Sequence, residues 1–131
     1  MAAVAKSGTP SLSTMVPCPA HQLSGLIAGE AIAAGDACYI KNDGLVYKAT
    51  GAAANAAAVV VGFAAKGYAI GAGVTLYHGV TFNYGSGLTP GALYYLSGTT
   101  AGGLDTATST GGTVAIGFAV DATRISVKRS V

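Results

Sequence analysis

The strongest constraint on this chain is a short pattern that occurs three times. Each copy has an aliphatic residue, two small or turn-forming residues, a glycine, and a tyrosine four places further on. The copies are Ile32-Ala33-Ala34-Gly35-Asp36-Ala37-Cys38-Tyr39, Ile70-Gly71-Ala72-Gly73-Val74-Thr75-Leu76-Tyr77 and Leu88-Thr89-Pro90-Gly91-Ala92-Leu93-Tyr94-Tyr95. The third copy carries the mechanism most clearly. In Thr89-Pro90-Gly91-Ala92 the proline presets φ for the second turn position, and the glycine accepts the positive φ that a type II turn needs at the third. Ala34-Gly35 and Ala72-Gly73 can make the same turn without a proline. A strand then follows at once. With 20 glycines in 131 residues, long helices are disfavoured and the regular structure is expected to be β.

A longer period lies over the short one. Gly35 and Gly91 are 56 residues apart, and Gly62 and Gly117, each in a Gly-Phe-Ala strand, are 55 apart. Each half therefore runs turn, strand, hairpin, loop, strand, as a duplicated β-unit does. Within the first half, Asp36 to Lys41 reads as a strand, Asn42-Asp43-Gly44 as a tight hairpin turn, and Leu45 to Ala49 as its return. The Ala-rich stretch from Gly51 to Ala58 reads as a loop with one helical turn, being too short for a stable helix. The β-branched run from Val59 to Ala64 reads as a buried strand. Further strands are expected at Val74 to His78, Val80 to Tyr84, Ala92 to Ser97, Thr113 to Val120 and Arg124 to Lys128, with Leu104 to Thr108 pairing back. The expectation is an all-β fold, a small β-barrel or β-sandwich of two pseudo-repeated halves over residues 26–131.

Residues 1–25 differ. They carry Pro10, Pro17 and Pro19, and Val16-Pro17-Cys18-Pro19 must be extended. This reads as an extended N-terminal arm, and an arm needs something to dock on. A neighbouring chain is the simplest partner, with Lys6, Pro10, Leu12, Met15, Val16 and Pro17 as its contacts.

Charge supplies the next constraint. Only 9% of the residues are charged, against 51% hydrophobic, where a typical soluble domain is about 25% charged. From Gly67 to Leu104 there is no Asp, Glu, Lys or Arg. A monomer needs a charged surface free of apolar patches, so this stretch either lies at a subunit interface, the favoured expectation, or is coated by Ser, Thr, Asn and Gly. The interface candidates are Tyr68, Ile70, Leu76, Tyr77, Phe82 and Tyr84, since tyrosine is enriched where proteins meet. The apolar run around Ala52 to Ala65 is broken by Asn55 and Gly62, so no helical membrane span is expected. No secretory signal is evident either. A net charge of +2 is too small to imply nucleic-acid binding.

Chemistry has little to work with. His21 and His78 are the only imidazoles, and neither stands in a nucleophile motif. Cys18-x-x-His21 offers half of a metal site at most, with only Cys38 and His78 as distant complements. The two cysteines make no disulfide framework and are expected as reduced thiols. Gly71-x-Gly73 and Gly85-x-Gly87 lack the following helix that phosphate binding uses. No catalytic residue, metal or cofactor is expected.

The segments Glu30-Ala31-Ile32-Ala33-Ala34-Gly35-Asp36-Ala37-Cys38-Tyr39-Ile40, Asp43-Gly44-Leu45-Val46-Tyr47-Lys48-Ala49 and Val60-Val61-Gly62-Phe63-Ala64 resemble capsid decoration (cement) proteins of tailed bacteriophages. The resemblance spans residues 26–128. It implies a small β-rich virion protein, often a homotrimer, on the outer capsid surface. There it clamps neighbouring copies of the major capsid protein and commonly attaches by a terminal arm. No catalytic residues carry over from such a family. Loss of residues 1–20 is then expected to abolish shell binding and leave the domain folded. The alternative is a fibre or tail-tip module that recognises a host surface glycan on exposed tyrosines.

Overall fold

The structure, a computed structural model, describes residues 3–13 and 21–131. The first and third glycine turns form where the pattern puts them. Asp36 N–H donates to the Ala33 carbonyl at 3.2 Å and Ala92 N–H to the Thr89 carbonyl at 3.0 Å. Gly35 and Gly91 both take φ +83°, as the third position of a type II turn requires. The second turn lies two residues earlier than expected. Ala72 N–H donates to Ala69 at 3.0 Å, Gly71 carries the positive φ of +84°, and Gly73 is already the first strand residue. Either glycine could adopt the turn conformation. Gly71 is selected because its N–H donates to the Ala28 carbonyl at 2.8 Å.

That bond recurs. Gly35 N–H donates to Ala64 at 2.7 Å, and Ala64 N–H returns a bond to Asp36 at 3.0 Å. Gly91 N–H donates to Ala119 at 2.8 Å, and Ala119 N–H donates to Ala92 at 3.0 Å. Ala28 N–H completes the second turn by donating to Ala72 at 2.9 Å. Each turn therefore trades two hydrogen bonds with a buried alanine at the end of a neighbouring strand.

The described strands are β1 (Ser11–Leu12), β2 (Gln22–Ile27), β3 (Ala37–Ile40), β4 (Val46–Lys48), β5 (Gly62–Ala64), β6 (Gly73–Tyr77), β7 (Val80–Asn83), β8 (Leu93–Leu96), β9 (Leu104–Asp105), β10 (Gly117–Ala119) and β11 (Arg124–Val127). They form two antiparallel sheets, ordered β2-β6-β5-β3-β4 and β1-β7-β11-β10-β8-β9. Without β1, the second order is the first with every strand moved on by five. Register repeats as well. Ala37 faces Phe63 and Cys38 faces Gly62, just as Leu93 faces Phe118 and Tyr94 faces Gly117. The protein is all-β, and its two halves are β2 to β6 and β7 to β11.

Local details follow from local chemistry. The β3–β4 hairpin closes with Lys41 N–H on Leu45 at 3.0 Å and Gly44 N–H on Lys41 at 2.9 Å, with Gly44 at φ +84°. This is a type I turn followed by a left-handed glycine, a favoured three-residue hairpin loop. The Ala-rich segment holds one 3-10 turn, Ala56–Ala58, capped by the Asn55 side chain accepting from Ala57 N–H. The expected strand from Thr113 to Val120 is shortened to β10. Ile116 N–H reaches the Tyr94 carbonyl, but the Leu96 carbonyl, next in the ladder, is taken by the Ser109 hydroxyl at 2.7 Å.

Alternation along the strands builds two apolar clusters. The larger lies between the sheets and joins Ala37, Val60 and Phe63 of the first half to Phe82, Tyr94, Ile125 and Val127 of the second. Phe63 and Phe82 meet across it with ring centroids 6.2 Å apart. The smaller cluster lies on the opposite face of the first sheet, around Cys38, Val46, Ala64, Val74 and Leu76. A parallel bridge from Ala28 to Val46 links the end of β2 to β4, so the two edges of that sheet meet over this cluster.

The second sheet is closed by the N-terminal segment. Ala3 bridges to Asp105 beside β9, Val4 N–H donates to Leu104 at 2.9 Å, and Ser7 N–H donates to Tyr84 at 3.0 Å. Further on, Ser11 and Leu12 pair with Asn83 and Phe82. Residues 3–13 thus pair with their own chain, because the gap between β7 and β9 offers them unpaired backbone groups. The expected boundary at residue 25 falls inside β2, a strand of the first half.

Two outcomes test this account by thermal melting. Gly91→Ala places a side chain at φ +83° with open space around it and should cost about 1 kcal/mol. Gly35→Ala has the same φ, but its Cβ would stand 2.9 Å from the Pro10 ring, so it should cost clearly more. Equal costs would refute the docking of the N-terminal segment on this turn.

Candidate interaction surfaces

The arm residues singled out in the sequence serve the fold. Lys6 Nζ donates to Asp36 Oδ1 at 2.7 Å, and Asp36 Oδ2 accepts the Ala33 N–H at 2.9 Å. The Asp36 carboxylate is almost wholly buried, so the ammonium offsets the cost of desolvating it. Pro10 is buried on Gly35, and Leu12 packs against the larger cluster. These three are corrected from partner contacts to intramolecular ones. Met15, Val16 and Pro17 lie outside the described residues.

The interface candidates separate by burial. Leu76, Phe82 and Tyr84 are inside the chain's own core, so they are corrected from subunit contacts to core residues. Their strands alternate, and the apolar parity of each points inward. Tyr77 is half-buried against the larger cluster. Tyr68 is half-buried, with its hydroxyl 3.4 Å from both the backbone N and the carbonyl O of Thr75. Ile70 alone of the six projects freely, 73% exposed at the second position of its turn. None of the seven tyrosines is fully exposed; Tyr39, Tyr47, Tyr68, Tyr77 and Tyr95 are half-buried, and Tyr84 and Tyr94 are buried.

The sequence reading missed the most apolar outward face of the second sheet. Registers place Leu93, Phe118, Ser126 and Thr81 in one row across β8, β10, β11 and β7. Leu93 is 51% and Phe118 47% exposed. A recess of about 280 Å³ on this face is lined by Leu93, Phe118 and Ser126 together with Ala115, Gly117 and Lys128. Val120, the next outward residue after Phe118, is also exposed. The row's counterpart in the first half is Ala37, Phe63, Tyr77 and Gln22. There Ala37 and Phe63 are completely buried under the second half. Nothing local separates the two phenylalanines, since both stand in Gly-Phe-Ala.

Titratable groups here are structural. The Cys38 thiol is free and buried, and it contacts the Asp36 carbonyl at 3.4 Å. Burial, then the Asp36 and Glu30 carboxylates, push its pKa far above the ordinary thiol range, which removes its nucleophilic form. His21 and His78 lie beside each other with ring centroids 5.8 Å apart and planes tilted by 51°. Burial first, then Arg129 and His21, lower the pKa of His78. Among the described residues no group of three or more His, Cys, Asp or Glu side chains is placed to hold a metal. At the β10–β11 turn, Asp121 is held down at about 2 by the Thr123 N–H and by Arg124, whose Nε donates to it at 2.7 Å.

No protein-family model matches the chain, and neither a curated protein nor a solved structure does.

Two measurements check these placements. Lys6→Ala should lower stability by about 1–3 kcal/mol, because it strands a buried carboxylate; an unchanged denaturant midpoint would exclude the internal ion pair. In a Cys18→Ser background, native protein at pH 8 should not react with a disulfide reagent, and one thiol should appear on unfolding.

Proposed function

We propose that this chain is a virion structural protein, a capsid decoration (cement) protein that binds the outer surface of a shell of major capsid protein and stabilises it. It acts without a catalytic site, and its partners are the shell and further copies of itself in a homotrimer. The support begins with the resemblance carried by residues 26–128. The structural observation that carries the reading is the charge-free stretch from Gly67 to Leu104, which presents Ile70 and Leu93 to solvent. Exposed aliphatic side chains without charged neighbours in sequence favour contact with another protein. A shell offers the same contact many times over, so a modest apolar gain per site adds up across it.

The internal docking of residues 3–13 changes how attachment is envisaged. These residues hold the fold together, so shell contact is assigned to surface side chains led by Ile70. Removing residues 1–20 should therefore destabilise the protein itself, which makes a truncation a poor probe of binding. A point change on a projecting turn is cleaner. Ile70→Asp should leave the melting temperature unchanged and weaken co-sedimentation with assembled tailed-phage shells by about tenfold or more, the cost of losing one buried aliphatic contact. Absence of the wild-type protein from purified virions and from sedimented shells would overturn the reading.

A further inference from the structure

We propose that the row Leu93, Phe118, Ser126 and Thr81 is a self-association face, which pairs with the same row of a second copy of this chain. The proposal goes beyond the structural-protein reading: it names a twofold contact between copies, separate from the threefold contacts of a trimer, and it is tested without any shell.

The molecule contains its own precedent. The equivalent row of the first half, Ala37, Phe63, Tyr77 and Gln22, is the surface on which the second half is packed. Phe63 is 0% exposed there, while Phe118 at the same place in the repeat is 47% exposed. One chain has only one second half, so the second row is left uncovered.

Shape points to a like surface as the cover. The exposed Phe118 ring forms, with Leu93 and Ser126, part of the wall of an apolar recess of about 280 Å³ on the same face. A twofold axis next to Phe118 places each ring at the other copy's recess, as an isologous interface requires. Charge is compatible with this. The row has no ionisable side chain. Lys128 lines the recess at one end of β11, and at the other end Arg124 is already neutralised by Asp121. An antiparallel pairing sets Lys128 of one copy towards the Asp121–Arg124 end of the other, so no two unpaired ammonium groups are forced together.

Size sets the expected strength. Leu93, Phe118 and Val120 together expose roughly 250 Å² per copy, about 500 Å² over two copies, which is less than a standard specific interface and suits a weak, transient contact. The expected behaviour is a reversible dimer with a dissociation constant in the micromolar range.

Sedimentation velocity over a concentration series reads this directly. Wild-type protein should shift from monomer toward dimer, and Phe118→Ser and Leu93→Ser should each move that transition up by about tenfold or more. Ile70→Ser, on a different turn, should leave it in place. Thermal melts of all three variants guard against unfolding. As an independent measurement, Ser126→Cys, which keeps Phe118 and Leu93, should crosslink into a disulfide dimer under mild oxidation in a Cys18→Ser background. A monomer at every concentration, or association indifferent to Phe118 and Leu93, or an equal effect of Ile70→Ser, overturns the proposal. Either result leaves shell binding a separate question, because no shell is present.

Discussion

The fold depends on one repeated exchange of backbone hydrogen bonds. A glycine in the left-handed region turns the chain, and its N–H then points at the carbonyl of an alanine at the end of the adjacent strand. That alanine's N–H answers the carbonyl of the residue after the glycine. Gly35 with Ala64, Gly71 with Ala28 and Gly91 with Ala119 all make this exchange. It fixes where each new strand begins and which neighbour it pairs with, so register is set at the first residue. The alanines are small enough to be wholly buried beneath the turns.

From that exchange the rest of the architecture follows. Two five-strand halves share one strand order, and each faces the problem of open sheet edges. The first half joins its edges through the Ala28–Val46 bridge. The second half is closed by residues 3–13, which pair near β9 at one end and with β7 at the other. The ion pair of Lys6 with Asp36 and the seat of Pro10 on Gly35 tie this segment to the first glycine turn. The opening residues are thereby a structural part of the second half, held by the first.

The asymmetry of the surface arises at the same joint. Packing the outward row of one half against the inward face of the other makes one large core. It also uses up one of two equivalent rows. The other row stays open at Leu93 and Phe118, and the chain has too few charges to dress such a face with ions. A structural role in an assembly is the proposal that best accounts for a protein built in this way.

Much of the fold was legible in the sequence because its determinants are local. A left-handed glycine, the Pro90-Gly91 pair, the Asn42-Asp43-Gly44 loop and the alternation of Arg124 to Val127 act within a few residues. The two-half repeat was legible because duplicated local signals recur at nearly constant spacing. The turn at Gly71 was misplaced because two glycines there satisfy the same local rule, and only the bond to Ala28 chooses between them. The arm was read as reaching outward because nothing in residues 3–13 reveals the gap between β7 and β9. Leu76, Phe82 and Tyr84 were read as contacts because a charge-free stretch does not say which of its side chains point inward. Phe63 and Phe118 mark the limit most sharply. Both stand in Gly-Phe-Ala, and their strand registers are the same. The sequence alone determined that both would sit in a strand at the centre of Gly-Phe-Ala. Only the tertiary structure decided that one would be buried, because burial of a strand's face depends on which half packs over it.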